Sequence, residues 1–325
     1  MSERKVQITY LPLSLTRGHS ISCALLLGCL SFLLILSSCS TGVGQTEEVS
    51  GSLNIVGSTA LQPLVSAAAT LYMKQHPKVK IKVQGGGSKV GLDQVASEKV
   101  DIGDSDLYAD PVSYPDPNLT DHIVCVIPFA MVTNPDVTIS SNTLTPDQIV
   151  GIFTTRTITN WKDVGGPDLK IVPLARTKTS GTRDTFRKYV LGGRDESDLT
   201  TIDSSTDVRD TVAKTPGAIS YLALSVINSS VHEVGINGFL PTQENISSGR
   251  YTFWAYEHMY TMKDTPLIND FLDYMISPPV QNAAENIHYI PISNMHLPTT
   301  NIPNNSGNSS IALVANEEVY SESRQ

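Results

Sequence analysis

Cysteine is scarce in this chain of 325 residues: three of the four, Cys23, Cys29 and Cys39, fall within the first 39 positions. The remainder holds Cys125 alone, so it can form no internal disulfide. Cys125 sits in the apolar run Ile123 to Val132 and reads as a core strand residue rather than a nucleophile. Charged residues make up only 17%, and acid predominates, with 32 acidic against 23 basic side chains and a formal net charge of -9. Beyond residue 38 the balance is 31 acidic against 20 basic, which lacks the clustered basic surface that nucleic acid demands. The seven histidines are scattered, with no pair at metal-ligand spacing, so neither a metal nor another cofactor is expected. Trp161 and Trp254 read as packing anchors, and His258 and His288 as surface or packed polar residues. No apolar run reaches membrane-spanning length, and the longest, Ile21 to Leu36, has sixteen residues. With 40% hydrophobic residues and a mean hydropathy of -0.06, the body is an ordinary globular protein, not collagen, coiled coil or disordered chain.

What is present begins with a leader. Arg4, Lys5 and Arg17 precede the apolar run, and small residues follow it, which is the layout of a secretory signal. Leu36-Ser37-Ser38-Cys39 is similar to a bacterial lipobox, whose cysteine becomes the lipidated first residue of the mature chain. One acyl chain holds a membrane only marginally, so stable anchoring calls for several on this cysteine. The expectation is a signal peptide over 1–38 and a flexible tether over 39–50. The body would then sit outside the cytoplasm, anchored to the outer face of the membrane. Residues 299–325, Asn/Ser/Pro-rich and then acidic, are expected to be a disordered tail.

Between these ends, strand and helix patterns alternate, which predicts an α/β fold. Ser52 to Val56 is a strand, followed by a helix running to His76. Its apolar positions Leu61, Leu64, Val65, Ala68, Leu71 and Tyr72 recur at the spacing of one buried face. Val79 to Gln84 alternates as a strand and leads through Gly85-Gly86-Gly87 to a helix from Ser88 to about Lys99. Val100 to Gly103 is strand-like, with Asp104-Ser105-Asp106 at its end. Thr145 caps a helix with Pro146 at its first position, running through Phe153. Lys170 to Leu174 forms a strand, and Thr179-Ser180-Gly181-Thr182 opens a helix to about Leu191.

Three places share a strand, a turn with small hydroxyl residues and a helix start: Gly57-Ser58-Thr59, Gly87-Ser88 and Ser180-Gly181-Thr182. Each presents unpaired backbone N–H groups and the positive end of a helix dipole, the chemistry that holds a tetrahedral oxyanion. One such place alone would be a plain N-cap. Three together, with Arg176 four residues before Ser180 and Asp106 ending a strand, point to a ligand. A P-loop fails because no Gly-Lys-Ser/Thr follows the glycines, and a Gly-x-Ser-x-Gly elbow fails because position 90 is valine.

The ordered set resembles one family. Gly57-Ser58-Thr59-Ala60-Leu61-Gln62-Pro63-Leu64, Gln84-Gly85-Gly86-Gly87-Ser88, Asp101-Ile102-Gly103-Asp104-Ser105-Asp106, Ile158-Thr159-Asn160-Trp161 and Arg176…Ser180-Gly181-Thr182-Arg183 carry the likeness, over roughly 52–297. It is to the phosphate-specific substrate-binding proteins of bacterial ABC phosphate importers. The resemblance implies a two-lobed periplasmic-binding-protein fold of type II, with lobe 1 over 51–132 plus 254–298 and lobe 2 over 133–253. It implies binding of inorganic phosphate and its delivery to membrane permease subunits, with no enzymatic activity. The phosphate contacts it implies are the hydroxyl and backbone of Thr59 with the backbone of Ala60 or Ser58 alongside, then Ser88, Asp106, Arg176, Ser180, Gly181 and Thr182. Asp106 would accept a hydrogen bond from the phosphate proton and Arg176 would supply a charge-assisted contact. Arg183 is left open between direct and supporting contact. Two departures stand out: Lys89 where relatives have glycine after the serine, and Thr179 where many have glycine before Ser-Gly-Thr. Were a positive φ required there, Thr179 would be strained. The alternatives are a receptor for sulfate, molybdate or tungstate, or an extracellular phosphoester hydrolase or signalling receptor using the same cleft.

Overall fold

The computed structural model describes residues 49–295. The expected signal segment, Cys39, most of the expected tether and the expected tail lie outside the described residues. The described chain opens with β1 (Gly51–Gly57), α1 (Gln62–Gln75), β2 (Val79–Gly85), α2 (Ser88–Ala96) and β3 (Ile102–Ser105). β4 (Thr120–Thr133) and β5 (Thr143–Leu144) lead to α3 (Pro146–Phe153), then β6 (Val172–Pro173) and β7 (Ala175–Arg176) to α4 (Gly181–Tyr189). Next come β8 (Thr201–Ile202), α5 (Ser205–Lys214), β9 (Ala218–Ala223), β10 (His232–Ile236) and α6 (Gln243–Ser247). β11 (Trp254–Thr261), α7 (Pro266–Met275) and α8 (Pro278–Glu285) complete the set.

Local chemistry explains the helix starts. Thr145 caps α3 reciprocally: its hydroxyl accepts from the Gln148 N–H at 3.2 Å, and the Gln148 side chain accepts from the Thr145 N–H at 2.8 Å. Ser180 caps α4 by accepting from the Arg183 N–H at 3.3 Å. α1 begins later than expected, because residues 59–61 form a turn before Gln62. There the Ser58 hydroxyl accepts from the N–H groups of Ala60 at 3.0 Å and Leu61 at 3.1 Å. Along α1, Leu64, Val65, Ala68 and Tyr72 are buried as expected. Leu71 is not: it is 42% exposed, since it lies about 100° around the helix from Tyr72, at the margin of the stripe.

Among the described residues, nine strands form one mixed sheet with the central order β2-β1-β3-β11-β4-β10-β5, and β9 joins β4 to β6. β1 lies parallel between β2 and β3, so their carboxyl ends, carrying Gly57, Gly85 and Ser105, share one edge of the sheet. That edge is where α/β sheets place their ligands. β3 takes in Asp104, which was expected just beyond the strand end, and β6 is shorter than the expected span over 170–174.

β4 is the long member, and residues 124–133 of it are buried without alternation. It pairs antiparallel with β11 from Thr120 through Pro128, then with β9 from Phe129 through Thr133. The change of partner falls at Pro128, which has no N–H to give to the ladder. Phe129 restores the link by donating to the Phe253 carbonyl at 3.0 Å. Cys125 lies in this strand, fully buried, and burial pushes its thiol well above the usual range, as suits a core residue. Trp161 and Trp254 are buried, the Trp161 indole donating to the Gly217 carbonyl at 2.9 Å. His258 is buried too, its Nδ1 2.8 Å from Asp121.

Candidate functional site

The three hydroxyl-bearing turns meet. Ser58 follows β1, Ser88 is the first residue of α2, and Ser180, Gly181 and Thr182 open α4. All five are buried, as are Ala60, Asp106 and Arg176, while Thr59 is half-buried. The contact between the α2 and α4 starts is close enough to fix the residue types. A Cβ on Gly181 would overlap the Ser88 hydroxyl and come within 2.9 Å of the Asp106 Cβ. Gly87 adopts φ 92°, and a Cβ there would lie 2.6 Å from the Thr179 carbonyl oxygen.

Asp106 is at the centre. Its carboxylate accepts from the hydroxyls of Ser58 and, at 2.9 Å, Thr182, so segments 124 residues apart in sequence converge on one side chain. Its own N–H donates to the Ser88 hydroxyl at 2.9 Å. The carboxylate is thus held by side chains of the site rather than by capping a neighbouring backbone group.

Arg176 supplies the positive charge. Its guanidinium donates to the Thr59 hydroxyl at 3.1 Å and the Ser205 hydroxyl at 3.1 Å, and also to the carbonyls of Ile202 and Asp203. Burial pulls the group below its ordinary value, while the electrostatic influence of Tyr221, Asp106, Asp203 and Asp207 pushes back. The pairing of β7 with β8, Arg176 opposite Ile202, is what brings those carbonyls to it.

Arg183 does a supporting job. It pairs with Glu196 at 2.7 Å and donates to the Arg176 carbonyl at 2.7 Å. Glu196 also accepts from the Tyr221 hydroxyl at 2.9 Å, and Tyr221 in turn receives the Arg176 N–H at 3.3 Å. The Arg176 backbone is therefore clamped on both sides.

The two departures from the family pattern resolve differently. Thr179 is absent from the residues with positive φ, so the feared strain does not arise, and its carbonyl accepts from the Lys89 N–H at 3.2 Å. Lys89 reaches across to Asp184 of α4 at 2.7 Å, with both side chains partly exposed. Ala60 is placed in the turn, but its N–H is directed at Ser58 rather than outward. Sequence reasoning missed Ser205, whose place after an unremarkable Asp203-Ser204 gave no motif. It also missed the Glu196–Tyr221 support, which depends on tertiary contact alone.

Comparison with known proteins decides the lineage. A family model described as a PBP superfamily domain matches residues 42–279. The phosphate-binding protein PstS of Bacillus subtilis (strain 168) is 43% identical over 253 residues, spanning 77% of this chain and 83% of that protein. The chain belongs to the phosphate-binding proteins of the PBP superfamily. A putative phosphate ABC transporter substrate-binding protein from Clostridium perfringens, solved with bound phosphate, superposes with a TM-score of 0.69 at 27% identity. The match covers 74% of this chain and all of that one. An ABC-type phosphate transport receptor from Vibrio cholerae gives 0.60 at 25% identity, over 73% and 99% of the two chains. The fold is the two-lobed, type II architecture of this family.

The approach of Gly87 to Thr179 is a condition of the α2 and α4 starts meeting as they do. Gly87→Ala meets both the left-handed backbone and the Thr179 carbonyl, a strain of about 1–3 kcal/mol. It should weaken oxyanion binding about tenfold or more in isothermal titration, with far-ultraviolet dichroism unchanged. Undiminished affinity would mean that these loops do not meet in the bound state.

Proposed function

We propose that this protein binds inorganic phosphate outside the cytoplasm and delivers it to the permease subunits of an ABC importer, as a transport receptor and not an enzyme. One observation carries this reading: a buried acceptor, Asp106, stands in the same enclosure as a buried cation, Arg176, and the openings of α2 and α4. Phosphate near neutral pH bears both a proton to give and oxygens to receive, and it uses both kinds of partner. The backbone N–H groups of Ser88, Gly181 and Thr182 would meet its oxygens, with the Thr59, Ser58, Ser88 and Thr182 hydroxyls beside them. Ser180 supports the α4 turn, and Ala60 lends its place in the first turn more than its N–H.

Lobe 1 would comprise about 51–132 with 254–298 and lobe 2 about 133–253, with the two chain crossings in β4, between the partner change at Pro128 and Thr133, and at Phe253–Trp254. The supporting feature is that β11 follows β4 only as far as Pro128. Ligand touching both lobes would favour the closed state.

Arg176→Ala should cost about 1.5–3 kcal/mol of phosphate binding, the worth of a charge-assisted hydrogen bond. Lys89→Ala removes a half-exposed ion pair worth about 0–1 kcal/mol and should cost less. Equal, small losses in calorimetric titration would remove Arg176 from the ligand shell.

Asp106 also sets selectivity. Sulfate carries no proton at this pH, so it meets the Asp106 lone pairs as like charge in a site shielded from water. The intact protein should ignore sulfate, molybdate and tungstate, and Asp106→Asn should narrow the gap between phosphate and sulfate. Equal binding of sulfate by the parent, or unaltered selectivity in the variant, would return the site to a general oxyanion receptor.

The lipid anchor rests on Leu36-Ser37-Ser38-Cys39 following the apolar run. Cys39→Ala should abolish acyl labelling in cells and leave the precursor unprocessed at this position. Normal labelling of that variant would place the anchor elsewhere.

A further inference from the structure

Asp106 has a second neighbour that the binding geometry does not use. β3 and β11 run antiparallel with Met259 opposite Asp104 and His258 opposite Ser105, and Glu257 and Asp106 are the residues that follow this register on the two segments. On the other edge of β11, Glu257 pairs with Cys125 of β4. Glu257 is 0% exposed, neither of its carboxyl oxygens receives a hydrogen bond, and Asp106 is among the groups that act on its carboxyl. Burying a carboxylate without a partner is costly, because desolvation disfavours the charged form. Among the described residues no cation is seen to relieve it. The groups facing Glu257 are Asp104 from β3, Asp106 just after it, Cys125 from β4 and Tyr289 beyond α8. Burial, then Asp106 and Asp104, push Glu257 well above the usual carboxyl range, and burial with Asp106 does the same to Asp104.

We propose that Glu257 is a positioning residue for phosphate selection: a neutral carboxylic acid that donates its proton to Asp106 from behind. The balance is simple, since one proton is shared by two carboxyl groups and no bond other than the hydrogen bond is made. Asp106, held by Ser58 and Thr182 on one side and Glu257 on the other, is oriented with a lone pair left for the ligand's proton. Because Glu257 and Asp104 are both pushed well above the usual carboxyl range, less acidic charge faces an incoming anion. This inference rests on the phosphate reading given above.

The sign with pH follows from the raised value. The stabilising contribution of neutral Glu257 is present below the ordinary glutamate range and is lost as pH climbs through its raised native value. Phosphate binding should therefore weaken on the alkaline side by more than the ligand's own titration requires.

The test uses three proteins, the parent, Glu257→Gln and Glu257→Leu, with calorimetric titration of phosphate and sulfate across neutral and alkaline pH. Gln keeps an N–H donor at the same place and cannot ionise, whereas Leu keeps burial and loses the donor. Glu257→Leu should bind phosphate about tenfold more weakly, the effect of losing one hydrogen bond to a charged group, and discriminate less against sulfate. Glu257→Gln should recover most of that loss and flatten the alkaline fall in both affinity and thermal stability. Infrared spectra of the ligand-free parent at neutral pH should contain the C=O stretch of a buried carboxylic acid, reduced in Glu257→Gln. The Asp104→Asn protein assigns what remains of that band.

A parent without the band, or Gln and Leu variants equally impaired, or a Leu variant indistinguishable from the parent, each overturns the role of Glu257. Failure of the parent to bind phosphate overturns the function proposed above instead. The infrared band and the alkaline stability profile would then still decide the Glu257–Asp106 proton, since neither needs ligand.

Discussion

The carboxylate of Asp106, accepting from Ser58 on one side and Thr182 on the other, is the interaction around which the rest is arranged. A buried carboxylate is expensive to dehydrate unless it is hydrogen-bonded, and it finds its donors only when the turn after β1 and the start of α4 come together. Gly181 has to be glycine for that meeting, since any side chain would enter the space of Ser88. Gly87 has to be glycine for the neighbouring one. The small residues of the motifs are therefore demanded by backbone-to-backbone approach, and the hydroxyls by the need to satisfy a charge where water is excluded.

Arg176 balances the same enclosure from the other side, and its surroundings show how tightly its position is set. Most of its donors are spent on protein acceptors: the carbonyls of Ile202 and Asp203 and the Ser205 and Thr59 hydroxyls. Its backbone is held by Arg183 and Tyr221, which share Glu196. Glu196 is itself pushed above its ordinary value by burial, with Arg183 and Tyr221 working against the shift. A guanidinium anchored this way loses little freedom when an anion arrives, which is what preorganisation means in energetic terms.

Much of this could be read in the chain. Ser180 and Thr145 announce their helices because an N-cap is a local device, and the apolar stripe of α1 follows from one face needing burial. The glycine-hydroxyl turns were legible because each carries its chemistry within three or four residues. What stayed hidden depends on contacts far apart in sequence. Glu257 sits in the polar-looking stretch Tyr256-Glu257-His258, where an acid suggests a wet face, yet the residue is fully buried because β11 lies between β3 and β4. The partner of Lys89 and the relaxed backbone of Thr179 follow from the approach of α2 to α4, which no local pattern encodes. The late start of α1 reflects Ser58 capturing the Ala60 and Leu61 N–H groups, a turn that competes with one more helical turn.

Pro128 has a mechanical meaning. Strands resist bending in proportion to the ladder bonds that must shear, and a residue with no N–H lowers that resistance at one point only. β4 passes unbroken from β11 to β9 there, so one strand belongs to two ladders in turn, and the residue that cannot donate is the one at which it leaves the first for the second.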